Sequence, residues 1–571
     1  MTAKKIPIGK SKGRTVFFDP TRRSHHLHVA GGTGSGKSKF LEHMVREDIL
    51  KGHGVCLIDP HGEVFNNIID FCASIGADSF RNIHIIDPSL KDWRVGLNPL
   101  ACRHGESPVM RVENALEVFS AVWGGENSLQ TPSIRTSLRA IIDSLIQHGR
   151  TLSDALTLTN RIDDDQTRAF LIATTTNPVM KQVWRNYDDI SKNVRDFEAE
   201  LGGSRRRLIE VLHDGFFREM FGQVEHALDF RKIMDKGHIV LVNLSTKGNL
   251  DYPRARTIGT FLVREMIQVA MTRDIDHANE NPFYLYIDEC SRFLTSDIEI
   301  MLAETRKFGL HAALAHQWLA QMNKTDPMIY EAVMSIQNKV IFGGLKDADA
   351  EILAKELFRT EYDIELPVEA LTRPTVVGYK RTWLNNWSEG ESISESETNG
   401  TSSSEISSVS ETQAYDEDGY PAGNPSESNS ESSSTSSSSS NSYSSSRNSS
   451  RGASETLEPI LEDRVTAVHG MDKVQHLAIA RLRSLPQRNA VVKGTGKPSF
   501  DIRTFDVDKK TIHPDSRRNF IERVMKKSPY AISTTRAQAL IEFQSKAFVD
   551  KITLWRDTAR DEEEVPDGWR G

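Results

Sequence analysis

Val29-Ala30-Gly31-Gly32-Thr33-Gly34-Ser35-Gly36-Lys37-Ser38 is the stretch that decides the fold of this 571-residue chain. Residues 31–38 fit G-x-x-x-x-G-K-[S/T] without a mismatch, the pattern of a loop that cradles the phosphates of a nucleotide. Gly31, Gly34 and Gly36 allow the backbone to curl, so that N–H groups from Gly31, Gly32, Thr33, Gly34, Ser35 and Gly36 line a concave anion site. Lys37 is placed to reach the β and γ phosphates, and the Ser38 hydroxyl to reach Mg²⁺. Leu27, Val29 and Ala30 read as the end of a buried strand. Phe40, Leu41, Met44, Val45 and Ile49 recur at roughly helical spacing, which predicts a helix over 39–51. The loop therefore joins a strand to a helix N-terminus, which favours anions.

Working outward, Val55–Ile58 and Ile83–Ile86 are short apolar strands that end in Asp59-Pro60-His61-Gly62 and Asp87-Pro88. Strand, helix, strand at this spacing is the rhythm of a parallel α/β sheet. Asp59, His61 and Asp87 fall on the edge where such sheets bind ligands, although beside proline they read first as turn formers. Between 108 and 225 the texture becomes helical, with helices expected over 109–122, 134–147, 153–159 and 194–211. This all-helical insertion carries Arg205-Arg206-Arg207, either a solvated face or a contact for a phosphate backbone.

The α/β rhythm resumes at His238–Leu244 and reaches Phe283-Tyr284-Leu285-Tyr286-Ile287-Asp288-Glu289. An apolar strand ending in Asp-Glu, downstream of a phosphate loop, reads as a Walker B element. Asp288 would hold Mg²⁺ and Glu289 would polarise the attacking water. Leu310–Gln317 is a further buried strand ending in an amide that could sense the γ phosphate. Arg306 lies between these two elements. It could serve a neighbouring subunit's nucleotide, with Arg254, Arg256 and Arg264 as competitors for that role.

The combination H-L-H-V-A-G-G-T-G-S-G-K-S, I-D-P-H-G-E, Y-I-D-E and R-K-F-G-L-H-A-A-L-A-H-Q resembles the HerA/FtsK superfamily of RecA-like motors. Within it, the chain is most similar to the soluble core of type IV secretion coupling proteins. The resemblance spans roughly residues 15–380 outside the helical insertion. It implies a ring, taken as a homo-hexamer, that hydrolyses ATP with Mg²⁺ at subunit interfaces and moves DNA with little sequence preference. By the same resemblance Lys37, Glu289, Gln317 and Arg306 are catalytic, and Ser38 and Asp288 hold the metal. A membrane protein or a relaxase is implied as partner. Two readings stay beside it: an ATPase of the same systems that handles protein, and a nucleotide-gated scaffold. Glu289 speaks against the scaffold, since a pure switch needs no water-activating carboxylate.

Composition sets the remaining bounds. A net charge of −8 argues against a chain that coats nucleic acid, though not against local basic loops. The four cysteines show no C-x-x-C pairing, which suits reduced thiols rather than a zinc site. The N-terminus has no apolar leader and no run of 18 apolar residues occurs, so the expectation is a cytoplasmic protein without its own membrane span, recruited to a membrane by a partner. Residues 388–452 are dominated by serine and cannot bury enough surface to offset ordering, which predicts disorder. The expected organisation is a RecA-like α/β core with a mainly parallel sheet in two parts, 1–107 and 226–387. The helical insertion is 108–225 and the serine tract 388–452. Residues 453–571 return strands to the core and end in a helical tail.

Overall fold

A computed structural model of the chain describes residues 5–102, 106–122, 132–160, 165–247, 250–295, 298–320, 322, 326–358, 371–392, 402–412, 426–436, 446–467, 471–494 and 498–564. Its centre is an 11-stranded sheet. In chain order the strands are β1 (Ile6–Ser11), β2 (Arg14–Phe18), β3 (Leu27–Ala30), β4 (Gly54–Asp59), β5 (Ile83–Ile86) and β6 (Ile239–Asn243). They continue with β7 (Phe283–Ile287), β8 (Leu310–His316), β9 (Lys339–Phe342), β10 (Asn489–Lys493) and β11 (Phe500–Arg503). The spatial order is β2-β1-β11-β10-β9-β3-β8-β7-β4-β6-β5. From β9 to β5 every pairing is parallel. From β9 outward to β2 every pairing is antiparallel.

This division follows from burial. β3, β4, β5, β7, β8 and β9 are buried at every position, as near-continuous apolar runs covered by helices on both faces must be. The helix α1 (Lys37–Lys51) buries the stripe read from the sequence, with Phe40, Leu41, Met44, Val45 and Ile49 all at most 1% exposed. It starts two residues earlier than the apolar spacing indicated, because Lys37 and Ser38 already belong to its first turn.

The helical insertion comprises Pro108–Val122, Pro132–Gln147, Asp165–Thr174, Pro178–Ile190, Val194–Leu212 and Gly215–Phe221. Where a helix was expected over 153–159 there are two short 3₁₀ turns, Leu152–Asp154 and Thr157–Thr159. The segment Thr151–Thr159 holds four threonine and serine residues, which compete for local backbone hydrogen bonds and favour turns over a continuous helix. The insertion has its own core around Trp184, fully buried with its indole N–H donating to Ser144 Oγ at 2.9 Å. It is joined to α2 (Tyr252–Met271) by Arg111, which donates to Glu265 at 2.7 Å, and by the Arg264–Glu117 pair.

The long C-terminal helix Thr534–Glu564 lies along this insertion. Phe548 and Trp555 meet Phe170 edge-on, and Ser545 donates to Asp154 at 2.7 Å. The docking gives this helix of mixed charge an apolar surface to cover.

Residues 368–469 form a compact unit of their own. Within that unit Leu371–Ser392 pairs antiparallel with Ser446–Ala467, and Ser402–Thr412 pairs antiparallel with Ser426–Ser436. Of the stretch 388–452, for which disorder is expected, 393–401, 413–425 and 437–445 lie outside the described residues.

Beneath the sheet Arg23 makes a two-pronged ion pair with Asp48, each bond 2.7 Å, and lies 3.4 Å from the centre of the Tyr284 ring. Arg23 also donates to Tyr286 at 2.8 Å, and His53 Nδ1 donates to Asp48 at 2.8 Å. Burial alone would raise the Asp48 carboxyl, but Arg23 and His53 outweigh it and hold it down at about 2, against an ordinary 3.8. A depressed carboxyl contributes stability that is present above pH 4 and lost as pH falls from there through 2. This amounts to about 2 kcal/mol in all. Asp48→Asn is expected to cost about 3–5 kcal/mol, because it strands a buried guanidinium. Urea denaturation at pH 7 checks this, and the deficit should shrink towards pH 2.

Candidate functional site

The phosphate loop leaves the C-terminal end of β3 and turns into α1. Only two of its glycines need the left-handed region, Gly34 at φ 76° and Gly36 at φ 111°. Gly31 and Gly32 are required for closeness instead. A Cβ on Gly31 would sit 2.6 Å from Phe342 Cβ, and one on Gly32 only 2.1 Å from the Gly344 carbonyl oxygen. The loop is thus pressed against the end of β9. Gly32 N–H donates to the Gly343 carbonyl at 2.9 Å, and Ser35 Oγ donates to the Gly32 carbonyl at 2.8 Å.

The parallel register brings the end of β7 to the same edge. Lys37 Nζ donates to Glu289 Oε1 at 2.8 Å and lies 3.9 Å from Asp288 Oδ1. Ser38 Oγ donates to Asp288 Oδ2 at 3.2 Å. Lys37, Asp288 and Glu289 are each at most 4% exposed. Glu289 adopts φ 47° and ψ 51°, a left-handed conformation rare for a residue with a side chain and held here by its surroundings. The Asp288 N–H donates to the Ile58 carbonyl at 3.1 Å, which fixes the turn against β4.

The charges in this cluster do not balance: one ammonium faces two carboxylates. Burial, then the neighbouring charges of Glu289 and Asp59, push Asp288 up to about 6 despite Lys37. A buried carboxylate raised in this way, with a serine hydroxyl at hydrogen-bond distance, is the donor set a hard divalent cation would relieve. Ser38 and Asp288 would hold Mg²⁺, which when bound neutralises charge on the phosphates.

Gln317 follows β8 to the same edge, where its side-chain oxygen accepts from Thr33 Oγ1 at 3.1 Å. Behind this pair, His28 of β3 and His316 of β8 meet Nε2 to Nε2 at 2.6 Å, and burial holds His316 down at about 3. Two neutral rings therefore tie the strand carrying the phosphate loop to the strand carrying Gln317. Asp59 accepts from the N–H groups of His61 (2.8 Å) and Phe65 (2.9 Å), and Asp87 from Ser89 N–H (2.9 Å), as turn formers do.

Arg306 is not part of this cluster. It is exposed, in the turn Thr305–Phe308 before β8 begins, whereas the cluster follows the strand ends. The seven residues of β8 separate the two edges, a span of about 20 Å at the usual strand rise. Arg254 and Arg264 are engaged locally, Arg254 with Asp251 at 2.8 Å and Asp214 at 3.3 Å, Arg264 with Glu117.

One residue at the loop has no signal in the sequence. Arg488, just before β10, donates its N–H to the Ser35 carbonyl at 2.8 Å and lies over Gly36.

Residues 6–266 match the domain family described as the central domain of the helicase HerA. The match covers less than half of the chain and marks residues 6–266 as a HerA-type domain. No curated protein matches it by sequence. Among solved structures this chain is similar to the bacterial conjugative coupling protein TrwBdeltaN70 in its unbound monoclinic form, at 14% identity and a TM-score of 0.50. That match covers 90% of this chain and 92% of the other. The plasmid coupling protein TrwB with the GTP analogue GDPNP gives a TM-score of 0.51, and with ADP and Mg²⁺ 0.50, at 14% identity and the same coverage. At this identity the likeness is one of fold: a RecA-like core. Among the described residues no helix is long and apolar enough to cross a membrane.

Proposed function

We propose that this motor ATPase is a DNA translocase acting in a conjugation or type IV secretion process, as a homo-hexameric ring. The observation that carries the reading is the buried Lys37, Asp288 and Glu289, with the half-buried Ser38, at one sheet edge of a HerA-type core. The phosphate loop binds the phosphates of ATP and Ser38 and Asp288 hold Mg²⁺. Glu289 takes the proton of the attacking water, so that ATP and water yield ADP and phosphate.

Lys37 cannot serve both Glu289 and a γ phosphate fully, so binding of ATP draws the ammonium from the carboxylate and frees it to act as a base. Gln317, on the same edge, exchanges its contact with Thr33 for the γ phosphate and loses it on hydrolysis. Arg306, exposed at the other edge, acts in trans on the nucleotide of a neighbouring subunit. Backbone tracking needs no base readout, so DNA of any sequence serves. The exposed Arg206, on Val194–Leu212, is a contact for phosphates. In this reading the motor is cytoplasmic and recruited to a membrane, with a membrane protein or relaxase as partner, as the sequence resemblance implies.

Mass measurement in the presence of ATP and DNA should show six subunits, and the ring should displace a third strand from a DNA triplex only while ATP is hydrolysed. Single chains throughout, with no displacement, would refute the translocase.

A further inference from the structure

Arg488 stands in an unusual position. Its φ is 70°, one of four non-glycine residues with positive φ among the described residues. Glycine would take this conformation without strain. The main chain at this point is fully used: the N–H donates to the Ser35 carbonyl at 2.8 Å, and the carbonyl accepts from the N–H and hydroxyl of Thr504 at 2.8 and 3.1 Å. Glycine could supply both. The side chain is therefore what the strain retains.

That side chain starts across the last glycine of the phosphate loop. A Cβ placed on Gly36 would lie 3.3 Å from Arg488 Cα and 3.6 Å from its Cγ. The guanidinium then reaches Asp506 at 2.8 Å and the Thr504 carbonyl at 3.2 Å. Asp506 is 78% exposed, so this ion pair stands in water and holds the guanidinium weakly. The Nε of Arg488 is buried and has no hydrogen-bond partner among the described residues. A cation with one donor unmet, loosely held beside the loop read as the phosphate site, is an anion contact in waiting.

We propose that Arg488 is a nucleotide-binding residue supplied in cis by the C-terminal segment, its guanidinium exchanging Asp506 for the phosphate chain of the nucleotide bound at Gly31–Ser38. The inference rests on the reading of that loop as the ATP site. It also gives residues 485–506 a task in the active site, although they follow the phosphate loop by some 450 positions.

The test is calorimetric titration of Mg-ATP into the full chain and its variants. Arg488→Gly keeps the left-handed backbone and its N–H, so its thermal midpoint should equal or exceed that of the parent. Its ATP affinity should fall roughly tenfold, the loss of one charge-assisted contact. Arg488→Lys should recover part of that loss, and Asp506→Asn, which frees the guanidinium, should bind ATP more tightly than the parent. Parental affinity in Arg488→Gly, alongside loss of binding in Lys37→Ala, would overturn the role of Arg488 alone. Equal binding by the parent and Lys37→Ala would overturn the reading of the loop, and the role of Arg488 with it.

Discussion

With Lys37 replaced by alanine, ATP binding is expected to weaken by at least roughly 100-fold, since an ammonium on two phosphates supplies more than one charge-assisted hydrogen bond. The change does more than remove a ligand contact. Lys37 is the only cation within 4 Å of the paired carboxylates of Asp288 and Glu289 among the described ion pairs. Its loss leaves two acidic side chains buried side by side, so one of them must hold a proton. Folding stability should therefore fall at pH 8 and recover towards pH 6, where that proton is freely available. Nucleotide titration and thermal unfolding at both pH values check the two halves. A variant that loses affinity with no pH-dependent loss of stability would mean that the ion pair is not formed in solution.

Glu289→Gln is expected to do the reverse. Glutamine fills the same space and accepts a hydrogen bond from Lys37 but cannot take a proton from water. Turnover should drop by roughly 10²–10⁴, the usual worth of a positioned general base. Affinity for ATP should be unchanged or tighter, because the variant no longer holds the ammonium through a full charge. Steady-state kinetics separate the cases: kcat falls and KM does not rise. A rise in KM with kcat preserved would make Glu289 a binding residue and leave the base unassigned. Taken together the two substitutions divide the site, Lys37 governing occupancy and Glu289 governing chemistry.

The residues of this division are visible in the sequence because their roles demand fixed spacing along the chain. A phosphate loop is contiguous, and the Asp-Glu pair closes a strand whose five preceding residues are all apolar or aromatic. What the sequence hides is contact between distant segments. Arg488 meets the loop because β10 pairs with β9, and β9 lies beside β3; nothing in Leu485–Asn489 marks it. Gly31 and Gly32 look like turn glycines, yet what they answer to is the close approach of Phe342 and Gly344. The N-terminal strands β1 and β2 escape notice because their alternation is broken by lysine, glycine and proline. Their place is secured by pairing with β11, which arrives from the far end of the chain.

The C-terminal helix is legible as a helical tail, but its docking is hidden for the same reason. Its apolar residues Phe548, Ile552 and Trp555 are spaced for a helix, but only the aromatic cluster of the insertion gives them a surface to cover.

The measurement that bears most directly on the whole account is ATP hydrolysis by the purified chain with and without DNA, beside Glu289→Gln. An ATP-driven DNA motor predicts turnover that DNA stimulates strongly and that Glu289→Gln abolishes in both conditions. Turnover that ignores DNA would contradict the translocase and point to protein as the cargo; nucleotide binding without any turnover would contradict the motor itself.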